Sequence, residues 1–364
     1  MVSRRRGESV GRYHGAVISV GTRRRLRTYG WLIVWSGVAG SVYGAIAGSI
    51  GVGDALEGAS VGVIRGLTIS AIIGALELFF TRTRSGRVVE RAPFLVTFGV
   101  KLVVYGTVVI AAEALHLGNR LVGATVPEGA FEGPMAPMSI AFSFAVTFAF
   151  LFLLQISRLV GGRTLAAIVR GRYHRPHAED RFFLFVDIAG STGIAERLGP
   201  AATHRYLSRV FRIAADPITD HRGEIYQYVG DEVVVTWTRR AGAIEARPIA
   251  CFFAIEAALA EAAPAFVRDF ATPPRVRASL HAGPVIAGEV GDEKREIVFH
   301  GDVMNTAARL EQLTRELDRR FVVSEDALAW ATGVEPYALE DVGPQALRGR
   351  QRAIRVFAVE SKAR

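Results

Sequence analysis

The sequence predicts two unlike halves, an N-terminal all-α membrane domain of four helices and a C-terminal soluble α+β domain. Three observations predict this division. Four apolar segments of similar length precede residue 160. Basic residues gather in alternate connections between them. From residue 179 short apolar runs alternate with amphipathic ones. Whole-chain averages hide the division, since 50% hydrophobic and 22% charged residues describe an ordinary globular chain of 364 residues. That apolar content excludes disorder, and the single cysteine, Cys251, excludes an internal disulfide.

The apolar segments run over 29–50, 60–80, 93–115 and 137–159. Each is near the ~20 residues that span a bilayer as a helix. They are rich in Gly, Ala and Ser, which allow close helix contact in lipid, and Tyr29, Trp31 and Trp35 sit where an interfacial aromatic belt is expected. Eight arginines lie in the leader 1–28, four lie between the second and third segments, and five lie between residues 158 and 175. The other two connections hold one basic residue, Arg120. This alternation sets the segments apart from buried helices of a soluble protein. By the positive-inside rule it puts both termini in the cytoplasm, with a multi-pass domain (29–159) in the plasma membrane. Arg65, Glu77, Lys101 and Glu113 lie inside the spans. Antiparallel spans match Arg65 with Glu113 and Glu77 with Lys101 in depth, so the residues either pair or snorkel from near the helix ends.

Residues 160–178 connect the halves. The run 156–177 reads as a connecting helix that Gly161 and Gly162 flex and Pro176 ends, or as a basic spacer. From 179 to 364, RFFLFVDI is a strand followed by a Gly-Ser-Thr turn and a helix over about 193–215. GEIYQYVGDEVVVTW is a hairpin that turns at Gly230-Asp231. An Ala-rich helix over 243–270, two further strands and a helix over 302–317 capped by Asp302 follow, and a βαβ-like stretch closes the domain. Helices packed on a mixed sheet are the expected result.

Asp187 ends the first strand and Asp231 sits in the hairpin turn. Each alone is ordinary strand-end or turn chemistry. Brought together by a sheet, two carboxylates can bridge divalent cations, and the Gly190-Ser191-Thr192 turn offers backbone N–H groups to phosphate. Asn305 and Arg309 stand four apart on one helix, so they share a face that either orients a sugar and a phosphate or is simply solvated.

FLFVDIAGST, YVGDE and HGDVMNTAARLE, in this order, resemble the three signature segments of class III nucleotidyl (adenylate and guanylate) cyclases, over about residues 179–360. The four spans in front resemble those of membrane-bound bacterial members. The resemblance implies a ferredoxin-like catalytic domain that works as a head-to-tail homodimer and converts ATP to cyclic AMP and pyrophosphate. It implies two Mg²⁺ or Mn²⁺ ions at Asp187 and Asp231, with backbone contact from Ile188. Asn305 would orient the ribose and Arg309 would stabilise charge on the α-phosphate, from the opposite subunit. Arg348 or Arg350 would contact the triphosphate.

At the two positions where the family reads the base, this chain has Gln227 and Val298. Adenylyl-specific members carry Lys and Asp or Thr there, and guanylyl-specific members Glu and Cys. Gln227 can hydrogen-bond a purine edge, whereas Val298 only packs. GTP or another nucleotide is therefore an alternative substrate, and a cyclase-like membrane receptor is an alternative function. The hairpin Tyr228–Glu232 is also similar to the GGDEF turn of diguanylate cyclases, but Val229 stands where that motif needs glycine.

The charge divides as the fold does. Residues 1–177 hold 20 Lys and Arg against 8 Asp and Glu, and residues 178–364 hold 24 against 27. The basic surplus belongs to the edges of the spans, where it meets anionic lipid, and no nucleic-acid partner is expected.

Overall fold

The computed structural model describes residues 20–50, 54–80, 83, 86, 89, 92–114, 135–347 and 352–362. The chain forms two compact units, Thr22–Leu165 and Ala166–Arg364.

The first unit holds four long helices, α1 (Val20–Ile50), α2 (Ala55–Phe80), α3 (Phe94–Ala114) and α4 (Met135–Val160). Helix α1 begins nine residues before the expected span. Glycines repeat every four residues along one stripe of α1 (Gly40, Gly44, Gly48) and of α2 (Gly58, Gly62, Gly66). The two stripes meet so closely that a methyl added at Gly44 would overlap the Gly58 carbonyl, and one at Gly62 the Gly40 carbonyl. A larger core joins α2, α3 and α4 through Ile69, Ile73, Tyr105, Val109 and Leu151. Within it the Lys101 ammonium lies 2.6 Å from Glu77 Oε1, and the Tyr105 hydroxyl donates to Glu77 Oε2. One depth-matched pair is thus an ion pair between α2 and α3. The side chain of Glu113 lies outside the described residues, as do the leader 1–19 and most of the connections on which the orientation rests.

The outward surface of these helices is apolar: Trp31, Trp35, Ile50, Leu56, Leu95 and Val103 are all well exposed. A bundle with an apolar exterior suits a bilayer and not water. Among the described residues five helices are long and apolar enough to cross a membrane, one more than the four expected. The fifth run, Arg239–Phe270, lies in the second unit, where its apolar side enters the core described below.

The connecting helix is shorter than the sequence suggests. Gly161, at φ +90°, interrupts it, and α5 (Gly162–Val169) ends seven residues before Pro176. Pro176 instead precedes strand β1 (His177–Ile188), where its fixed φ and missing N–H are tolerated.

The second unit is a mixed sheet of eight strands among the described residues. Its elements are β1, α6 (Ser191–Leu198), α7 (Pro200–Asp220), β2 (Glu224–Val229), β3 (Glu232–Thr238), α8 (Arg239–Ala243), α9 (Arg247–Phe270), β4 (Val276–Val290), β5 (Glu296–His300), α10 (Asp302–Glu316), β6 (Phe321–Ser324), α11 (Glu325–Trp330), β7 (Tyr337–Gln345) and β8 (Ile354–Ser361). The strand order is β2-β3-β1-β4-β6-β8-β7, with β5 paired to the far end of β4. Only β4 and β6 run parallel; the other pairs are antiparallel.

Strand β1 is central and buried on both faces, which explains its unbroken apolar run. Phe182, Leu184, Val186 and Ile188 point into the larger core with residues of α7 and α9, while Phe183 and Phe185 point to the face that also holds Phe299, Val303 and Ala307. Each such Phe or Leu contributes about 1.5–3 kcal/mol on burial.

Two local expectations need correction. The helix expected over 193–215 is two helices, broken at Gly199 (φ +72°) before Pro200, a pair that ends one helix and begins the next. The N-cap of α10 is Gly301 and not Asp302, whose carboxylate instead accepts from Thr306 at 3.4 Å within the first turn.

Candidate active site

The sheet register builds the acidic centre. Asp187, the penultimate residue of β1, pairs with Glu232 at the start of β3. This places Asp231, in the β2–β3 turn, beside the end of β1, where its carbonyl accepts the Ile188 N–H at 3.3 Å. Ile188 itself is fully buried in the larger core. The chain then leaves the sheet through Gly190, whose φ of +73° suits a residue without Cβ, and Ser191 and Thr192 open α6.

Asp187 is 3% exposed. Burial pushes its pKa up to about 7, and the nearby Asp231 and Glu311 charges push the same way. Glu232 is raised to about 7 by burial and by Glu311, Asp187 and Asp231. One cation opposes them: Arg315 on α10 donates to Asp187 Oδ2 at 2.9 Å and to Glu311 Oε1 at 3.1 Å. Asp187 and Glu232 thus feel the charges of Asp231 and Glu311, and Arg315 opposes them.

Among the described residues no group of three or more His, Cys, Asp or Glu side chains is arranged to hold a metal as a complete cage. That does not disagree with Mg²⁺ or Mn²⁺, which are held by one or two carboxylates with substrate phosphates and water filling the remaining positions. The donors present are all oxygen, the type these ions select, and the crowded negative charge favours a cation. The residues therefore fit the ions.

The structure brings together Asp187, Ile188, Asp231 and the turn at Gly190, Ser191 and Thr192. It does not bring Asn305 and Arg309 to the same spot. Both lie on α10, exposed and half-buried respectively, while Glu311 on the same helix is buried. At 3.6 residues per turn Arg309 and Glu311 point about 200° apart, so the Asn–Arg face turns away from the acidic centre.

Gln227 is exposed on the edge strand β2, after a register shift that leaves Tyr226 as an extra residue. Val298 is half-buried on β5, paired with Gly288. The neighbours of these two residues meet, since the rings of Tyr226 and Phe299 are 5.0 Å apart. Arg348 and Arg350 lie outside the described residues.

Sequence reasoning missed Glu232, Glu311 and Arg315. The four-residue spacing of Glu311 and Arg315, on the helix already singled out, was a usable signal.

Known proteins match much of the chain. "Adenylate cyclase 2" of Rhizobium meliloti is 36% identical over 220 residues, 60% of this chain and 61% of that protein. An uncharacterized protein of Mycobacterium tuberculosis is 32% identical over 179 residues, 48% of this chain and 32% of that one. The chain thus spans less than two thirds of the length of these relatives. A bacterial light-regulated adenylyl cyclase of solved structure superposes with a TM-score of 0.52 at 20% identity, covering 65% of this chain and 70% of that one, which supports the fold. Residues 175–361, half of the chain, match the family described as the adenylate and guanylate cyclase catalytic domain, and the chain belongs to that family.

Proposed function

We propose that the chain is a membrane-bound adenylate cyclase, a phosphorus–oxygen lyase that converts ATP to 3′,5′-cyclic AMP and pyrophosphate by attack of the 3′-hydroxyl on the α-phosphate. The observation that carries this reading is the acidic centre at the end of β1, where the buried Asp187 meets Asp231 beside the Gly190 turn that opens α6. Asp187, Asp231 and the main chain at Ile188 would hold two divalent cations, which when bound acidify the hydroxyl and neutralise phosphate charge. Gly190, Ser191 and Thr192 receive phosphate oxygens through their N–H groups. Asn305 orients the ribose and Arg309 carries charge that develops on the α-phosphate. Arg348 contacts the triphosphate.

The site is completed by a second copy of the chain. The support is angular, because the face of α10 that bears Asn305 and Arg309 turns away from the acidic centre of its own chain. Helices α1–α4 form the anchor, four spans over 29–159, with both termini and the catalytic domain 179–364 in the cytoplasm. The apolar exterior of the helices and the arginine-rich alternate connections support this arrangement.

GTP is the second reading, carried by Gln227 and Val298, which match neither base pattern of the family. Incubating the purified full-length protein with Mn²⁺ and each of ATP, GTP, CTP and UTP tests the assignment. Cyclic AMP as the main product is expected. Cyclic GMP as the main product moves the assignment to the second reading, and no cyclic product from any nucleotide removes the enzyme claim.

A further inference from the structure

Arg181 lies on β1, six residues before Asp187 and on the same face, so about 20 Å separates it from the acidic centre. It is one of the largest fully buried side chains, 1% exposed. A buried guanidinium needs acceptors for its five N–H groups. Here Nη2 donates to Glu224 Oε2 at 2.8 Å. Nη1 sits 3.4 Å from Glu179 Oε2 without a hydrogen bond, and Nε has no acceptor among the described residues. The planar cation instead lies over the Phe299 ring, 4.5 Å from its centre.

These partners belong to strands that are not neighbours in the sheet. Glu224 opens β2, and Phe299 lies on β5, which pairs only with β4. Between β2 and β4 stand β3 and β1. Arg181 bridges that gap by touching Glu224 and Phe299, and the Tyr226 and Phe299 rings meet across it. Next to those rings in sequence stand Gln227 and Val298. Such a pair adds little net stability, but it constrains geometry, because moving Glu224 away leaves the Arg181 charge buried without that partner.

We infer that Arg181 is a positioning residue for base selection, a strut that sets the spacing of β2 and β5 and so the placement of Gln227 relative to Val298. This rests on the reading of those two positions as the ones that face the base. Arg181 touches neither nucleotide nor metal carboxylate; it acts through Glu224 and Phe299. The start of β1 and the segment before it grip the same cluster. Arg172 donates to Glu179 Oε1 at 2.8 Å, and His177 Nε2 lies 2.9 Å from the same oxygen.

The test compares kcat and KM for ATP and for GTP in the full-length protein with Arg181→Lys, Arg181→Met, Glu224→Gln and Gln227→Ala. Glu224 is partly exposed, so Glu224→Gln weakens the strut even if Arg181→Met fails to fold. The expected result for Arg181→Met and Glu224→Gln is a change of about tenfold or more in the ratio of kcat/KM between the two nucleotides, carried mainly by KM. Arg181→Lys keeps the charge and should recover most of the native ratio. An equal fall of kcat for both nucleotides with an unchanged ratio would mean a structural role only and would overturn the inference. A ratio that responds to Gln227→Ala but not to the Arg181 or Glu224 variants overturns the strut alone. A ratio indifferent to Gln227→Ala removes the base-reading assignment beneath it.

Discussion

Arg315 is the residue that reveals most about the acidic centre. It neutralises part of a cluster in which Asp187, Asp231, Glu232 and Glu311 would otherwise repel one another. Because its side chain is more than half exposed, its contribution is modest, about 1 kcal/mol. Arg315→Ala should therefore lower the melting temperature of the catalytic unit by a few degrees in the presence of a chelator. Added Mn²⁺ should recover most of that loss, since a cation at Asp187 replaces the missing charge. Recovery equal to that of the unaltered protein, with no extra gain, would show that Arg315 and the cation do not share the centre. Asp187 and Asp231 were legible in the sequence because a strand end and a hairpin turn are local features. Arg315 was not, because its contact with Asp187 spans 128 residues and depends on how α10 lies across the sheet. Arg181 was hidden for the same reason, being one charged residue at the start of an apolar strand whose burial depends on β2, β5 and the preceding segment together.

The helices divide into those whose pattern states their surroundings and those whose pattern misleads. Helices α1–α4 were legible as long apolar helices because length and composition are enough for that, and only their ends moved. Arg239–Phe270 has the same apolar density, yet Ile249, Phe252, Ile255 and Phe266 lie in the core beside β1 and β4. Hydropathy alone cannot separate a buried sheet-covering helix from a span. The connecting helix was overestimated because Pro176 was taken as its stop, when the glycine pair at 161–162 and the turn after Val169 had already ended the regular structure. At this scale the Glu77–Lys101 pair gives a direct prediction. Lys101→Met takes the ammonium away from the buried Glu77 carboxylate and should destabilise the detergent-solubilised protein by about 3–5 kcal/mol. The double variant Glu77→Gln with Lys101→Met should recover more than half of that. A single variant as stable as the parent in a thermal or denaturant melt would mean that the pair does not hold α2 to α3.

For the whole molecule, the proposed function gives α10 two tasks: one face brings Glu311 and Arg315 to the acidic centre of its own chain, and another carries Asn305 and Arg309, the groups proposed to act on a substrate bound by a second copy. On that proposal a single chain holds two half-sites and no complete one, and a head-to-tail pair of chains restores both. The proposed membrane anchor would then have a simple use, because confining two copies to a bilayer raises their effective concentration and favours the pair. The measurement that tests this most directly is co-expression of Asp187→Asn with Arg309→Ala. Each variant alone should produce almost no cyclic AMP. Mixed equally, half of the dimers pair one chain of each kind, and each mixed dimer has one intact site, so about a quarter of native activity should return. A mixture as inactive as either variant alone, or substantial activity from either variant by itself, would contradict the account.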